Sequence, residues 1–168
     1  HEEPVDWVPE IEPEPGLYII TPDSRGISGE LSSLLRDAGV EPVTIPEEFL
    51  TDESKIIKWV DEIKGRGEIK SVIHLAPVGK GGMPHEIDLD QCHIQIMAEV
   101  KSLFFLLRET GHGFMKHGGQ VLCVSDMGGF FGRNYAPGGK NQSAYPWGGG
   151  LSGLIKCVSM GWWSQRSY

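Results

Sequence analysis

The feature that most limits what this chain can fold into is an alternation, met four times, of a short apolar run with a longer stretch whose apolar residues recur at helical spacing. The run Leu17 to Ile20 ends in Thr21, Pro22 and Asp23, after which Ile27, Leu31, Leu34, Leu35 and Ala38 form a stripe stopped by Gly39. Residues 42–45 then precede Ile56, Ile57, Val60 and Ile63, closed by Gly65. Residues 71–76 lead through a Gly/Pro loop to a long helix marked by Ile96, Met97, Val100, Leu103, Phe104 and Leu107, with Gly111 as its expected end. Residues 121–124 are the fourth run, and a glycine-rich stretch over 128–150 separates them from Leu151, Leu154, Ile155 and Val158. Strands that alternate with helices return through right-handed crossovers. The expectation is therefore an α/β fold: a Rossmann-like parallel sheet with helices on both faces. The ligand crevice of such a sheet lies beyond the carboxyl ends of its strands, which selects 21–29, 76–83 and 125–150 for inspection.

A chain of 168 residues suits one domain. Pro4, Pro9, Pro13 and Pro15 stand among acids and forbid a helix, so 1–16 reads as a linker, 17–162 as the folded unit and 163–168 as a divergent tail. A net charge of −8, with its 15 Lys and Arg scattered, argues against nucleic acid as a partner. No apolar run is long enough to span a bilayer, which argues against a membrane. Cys92, Cys123 and Cys157 are odd in number and set in apolar surroundings, which points to buried free thiols and a reducing, cytoplasmic setting. The chain opens at His1 with no charged-then-apolar leader and reads as a segment of something longer.

Four motifs carry a resemblance over nearly all of the chain after the linker. Thr21-Pro-Asp-Ser-Arg-Gly26-Ile-Ser28 resembles a worn TGxxxGxG loop, and His74-Leu-Ala-Pro77 stands where an HxAG turn belongs. Gly118-Gly-Gln-Val-Leu-Cys-Val-Ser125 resembles a GGxIVxIS strand, and Gly153-Leu-Ile-Lys156-Cys-Val-Ser-Met-Gly-Trp162 is similar to a GLxKTLAxEW helix. Together they resemble the short-chain dehydrogenase/reductase superfamily, and more closely the ketoreductase regions of type I polyketide and polyunsaturated fatty acid synthases.

Ketone reduction in that superfamily uses an Asn, Ser, Tyr and Lys set, and the resemblance places all four on other residues. Counted back from Lys156, the tyrosine position is Ala144 and the lysine position Gly148; the serine aligns with Asp126 and the asparagine with Glu99. The loss matters because a phenol with pKa of about 10 donates a proton poorly without a nearby cation. Tyr145 would put Gly149 one turn on, and Tyr135 with Lys140 is the remaining near miss, separated by Ala-Pro-Gly-Gly that would not hold a helix. In the first loop Thr21, Arg25, Gly26 and Ser28 are the degenerate cofactor positions: Pro22 removes a donor, Asp23 adds negative charge, and Arg25 is the one group suited to a 2′-phosphate.

The resemblance thus implies the structural half of a synthase ketoreductase region, in which further strands follow the Lys156 helix. This segment would bind no cofactor and would support a downstream catalytic half of the same parent chain. NADP(H) and the Tyr/Lys pair belong to that partner half, and an acyl carrier protein meets it indirectly. Two other readings stand beside it: an intact but divergent NADP-dependent reductase, and a nucleotide-sensing module without catalysis. Other groupings have plainer explanations. His85 with His93, and His112 with His117, lack zinc-ligand spacing. Ser125-Asp126 lacks the GxSxG elbow of a hydrolase. Trp162 and Trp163 suit a surface against a neighbouring domain.

Overall fold

The computed structural model describes residues 13–79, 88–125 and 146–165. Strands β1 (Leu17–Ile20), β2 (Glu41–Thr44), β3 (Ile69–His74) and β4 (Gln120–Cys123) form one sheet in the order β2-β1-β3-β4. Every pair is parallel. The helices are α1 (Ile27–Asp37), α2 (Glu53–Lys64), α3 (Leu89–Ile96), α4 (Ser102–His117) and α5 (Pro146–Gln165). The expected Rossmann-like α/β fold is what the chain adopts.

The two sheet faces are unequally clothed. On one, Leu17, Ile19 and Val72 pack under Ile56, Val60 and Ile63 of α2, Leu103, Leu106 and Phe114 of α4, and Leu151 of α5. On the other, Tyr18, Ile20 and Ile73 cluster with Val40, Leu75 and Val78, and α1 is the one described helix that covers them, through Leu31 and Leu35. Side chains alternate faces along a strand, and both sets are buried in β1, so its run is apolar throughout. Asp52 and Asp88 begin α2 and α3 by accepting hydrogen bonds from the amides of Lys55 and Gln91.

Several boundaries differ from the sequence pattern, each for a physical reason. β2 begins at Glu41, one residue early, and carries Pro42, which an edge strand tolerates. β3 ends at His74 rather than at residue 76, because the amides of Leu75 and Ala76 turn to the Thr21 hydroxyl. Gly111 does not end a helix: it is buried within α4, where the packing of Thr110, Gly111 and Phe114 outweighs the glycine's cost of about 1 kcal/mol. The helix runs on to His117 and stops at Gly118, whose φ is 81°.

Between α3 and α4 the helix widens into a π turn, Met97–Lys101. A π turn holds an extra residue. Beyond it Leu103 and Leu107 are in the core as expected, Phe105 and Leu106 join them, and Phe104, expected there, is exposed. In α1, Ile27 and Leu34 are likewise exposed, and among the described residues no second helix flanks α1 on that face. The glycine-rich stretch becomes helical from Pro146. The start of α5 packs tightly there: a β-carbon on Gly150 would stand 3.4 Å from Val100 Cγ1. The thiols are free but not buried, since Cys92 and Cys123 are half-buried and Cys157 is exposed.

Candidate functional site

The carboxyl ends of β1 and β3 are joined by a buried polar chain. Thr21, the first residue past β1, accepts hydrogen bonds at Oγ1 from the amides of Leu75 (2.7 Å) and Ala76 (2.9 Å). His74 Nε2 lies 2.7 Å from the carbonyl oxygen of Glu99, which can only accept, so Nε2 carries the proton. Nδ1 is then an acceptor, and the Thr21 hydroxyl donates to it at 3.3 Å. His74 and Glu99 are wholly buried. Burial pulls the His74 pKa down to about 4, against the opposing effect of its bond to the Glu99 backbone, so the ring is neutral at pH 7. Glu99 itself sits in the π turn, a geometry frequent at functional sites.

The loop between β1 and α1 is closed by its own carboxylate. Asp23 Oδ1 accepts from the amide of Ser28 (2.7 Å), and Oδ2 from the amides of Arg25 (2.8 Å) and Ile27 (3.1 Å). Desolvation favours the neutral acid here, but the Ser28, Ile27 and Arg25 amides and the Ser28 hydroxyl outweigh it and hold the Asp23 carboxyl at about 2. These donors belong to a helix N-terminus, the place where a Rossmann fold rests a pyrophosphate. Gly26 has a φ of 82°, the left-handed region that favours glycine, so the turn into α1 itself calls for a residue without a side chain.

The same loop is latched to the one after β3. Ser24 donates from its hydroxyl (3.1 Å) and its amide (3.4 Å) to the Val78 carbonyl. Gly79 lies directly beneath, with a φ of 82°, and a β-carbon there would stand 2.5 Å from Ser24 Oγ and 2.8 Å from Arg25 Cγ. Gly79→Ala should therefore lower stability by about 1–2 kcal/mol, most of it backbone strain, which urea unfolding of the two proteins measures.

Of the positions named from sequence, Thr21 is a buried hub, Ser28 binds Asp23, Arg25 flanks Gly79, and Gly26 turns the chain. Glu99 is joined through its backbone to His74. Gly148 is buried in the first turn of α5. Asp126, Tyr135, Lys140, Ala144 and Tyr145 lie outside the described residues, as do most of the linker, Met83, His85 and the side chains of Trp162 and Trp163. Among the described residues no group of three or more His, Cys, Asp or Glu is gathered as a metal site would need, and no helix is long and apolar enough to cross a membrane. The Thr21–His74–Glu99 chain and the Ser24 latch were not foreseen. The only sequence sign was the HxAG-like position of His74.

No protein-family model matches this chain, and no curated protein does. Solved structures match in fold. A metagenomic short-chain oxidoreductase in complex with NADP superposes with a TM-score of 0.59 at 19% identity, over 83% of this chain and 62% of its own. A small-chain dehydrogenase gives 0.68 at 14% identity, over 89% of this chain and 77% of its own. An alcohol dehydrogenase from the archaeon Thermococcus sibiricus, complexed with 5-hydroxy-NADP, gives 0.61 at 15% identity, over 88% and 71%. The fold is thus that of short-chain dehydrogenase/reductase structures. This chain spans 62% of the length of the first of them.

Proposed function

We propose that this chain is the structural half of a type I polyketide or fatty acid synthase ketoreductase region, supporting a catalytic half that holds NADPH and reduces a carrier-bound β-ketoacyl group. The observation that carries the reading is the Asp23 carboxylate on the first amides of α1. A dinucleotide's pyrophosphate needs those donors, and a fixed negative charge among them repels it. The Ser24 latch, which ties together two loops bordering the crevice, acts in the same direction. On α5 the position that the resemblance gives to the family's lysine is the buried Gly148, which offers no ammonium to lower a phenol's pKa.

A second reading, an intact divergent NADP-dependent reductase, draws on the NADP and 5-hydroxy-NADP bound by two of the fold neighbours. Calorimetric titration with NADPH separates the two. The structural half gives no saturable heat. Micromolar binding, followed by ketone-dependent NADPH oxidation that Tyr135→Phe abolishes, would overturn it in favour of the reductase.

A further inference from the structure

We propose that His74 bolts open the π turn between α3 and α4, and that protonation of its ring releases the turn, letting α3 advance by one residue against α4. The turn lacks one α-helical bond. The Ser102 amide donates to the Met97 carbonyl, five residues back, so the Ala98 carbonyl has lost the amide that an α-helix would give it. Two side-chain donors hold the gap. The Ser102 hydroxyl donates to the Ala98 carbonyl at 2.6 Å, and His74 Nε2 donates from β3 to the next carbonyl, that of Glu99, at 2.7 Å. The first belongs to the helix itself, and the second ties the turn to the sheet.

A single proton draws the bolt. Thr21 Oγ1 accepts from the amides of Leu75 and Ala76, which fills both its lone pairs and leaves its hydrogen for His74 Nδ1. A proton on Nδ1 sets donor against donor there. The charged ring would also stand in a site with no exposed surface, deprived of water, and it therefore withdraws and gives up the Glu99 carbonyl. Burial accordingly outweighs the Glu99 bond in setting the ring's pKa. The groups that face the ring are the Thr21 hydroxyl beyond β1 and the backbone of Glu99 in the π turn, whose own carboxyl is buried. Beside it on β4 stands Cys123, whose thiol burial pushes up to about 11 and keeps neutral.

Packing decides which helix moves. α4 is set in the core by Leu103, Leu106 and Phe114, whereas no residue of α3 is buried. Returning the Ser102 amide to Ala98 carries α3 along its axis by one residue, about 1.5 Å, and turns it. Gln95, in the last turn of α3, keeps its side-chain oxygen shielded from water with no donor among the described residues. The present setting of α3 bears that cost, and turning the helix relieves it. α3 follows the loop after β3, so the motion falls at the carboxyl end of the sheet, where the crevice lies.

Long-range HNCO spectra of the whole deuterated chain identify the carbonyl that accepts from the Ser102 amide. At pH 7 it should be Met97. As the pH falls toward the ring's value of about 4, the coupling should pass to Ala98 in step with the 15N shifts of the His74 ring. His74→Gln keeps a donor for the Glu99 carbonyl and binds no proton, so its Ser102–Met97 coupling should persist throughout. His74→Phe fills the site without a donor and should show the Ala98 coupling already at pH 7. Should that variant fail to fold, the comparison of wild type with His74→Gln decides alone. A Met97 coupling that survives in wild-type molecules with a protonated ring overturns the proposal. So does an acid-driven change that His74→Gln shares, which would assign it to a carboxylate. A wild type that unfolds in acid with the π turn intact in every folded molecule overturns it as well.

Discussion

Thr21→Val should lower the unfolding free energy by about 2–4 kcal/mol, the largest loss expected of any single conservative change in the chain. Valine keeps the shape and removes the oxygen. The amides of Leu75 and Ala76, now held at 2.7 and 2.9 Å, would be left in a site where Thr21 has no exposed surface. A buried donor stripped of its acceptor costs about 1–3 kcal/mol, and two are stripped here. His74 Nδ1 loses its donor as well. Equilibrium urea unfolding at neutral pH measures the difference, with Thr21→Ser as the companion: serine retains the oxygen and should recover most of the loss. If valine costs under about 1 kcal/mol, the hydroxyl is not what holds the ends of β1 and β3 together.

The second large effect is acid sensitivity centred on His74. The folded-state value is about 4 against an ordinary 6.5, so between these values the unfolded chain binds a proton that the folded chain refuses. The histidine's contribution is therefore complete above about pH 6.5, declines as the pH falls, and is gone near pH 4. Over that window the loss amounts to about 3 kcal/mol, from 1.36 kcal/mol per pH unit. The groups facing the ring are the Thr21 hydroxyl and the Glu99 backbone. His74→Gln can still donate to the Glu99 carbonyl but does not titrate, so the difference between the two stability profiles isolates the imidazole. Asp23 acts in a separate, lower window. Its folded value of about 2 means that its contribution holds above about pH 4 and fades as the pH falls toward 2.

What could be read from the sequence was whatever depends on neighbours along the chain. Ile19 and Ile20 are both fully buried on opposite faces, which is why a continuous apolar run announced an inner strand. Asp23 was legible as a charge in the wrong place for phosphate, and the amides it binds lie within five residues. The Thr21–His74 bond spans 53 residues and the His74–Glu99 bond 25, separations at which spacing carries no information. The Ser24 latch to Val78 is of the same kind. The run over 121–124 looked like the inner strands, yet Leu122 and Val124 are half in solvent, because periodicity does not reveal how many neighbours a strand has.

At Met97–Lys101 residue number and angular position part company. Each residue of an α-helix advances its side chain by about 100°, so one extra residue re-phases everything that follows by roughly that angle. An alignment with an unbroken helix must open a one-residue gap at the turn. Where the gap is placed decides whether Glu99 or its neighbour stands opposite a relative's side chain. The turn works as a vernier, letting the segment before it and the segment after it be set against the sheet separately.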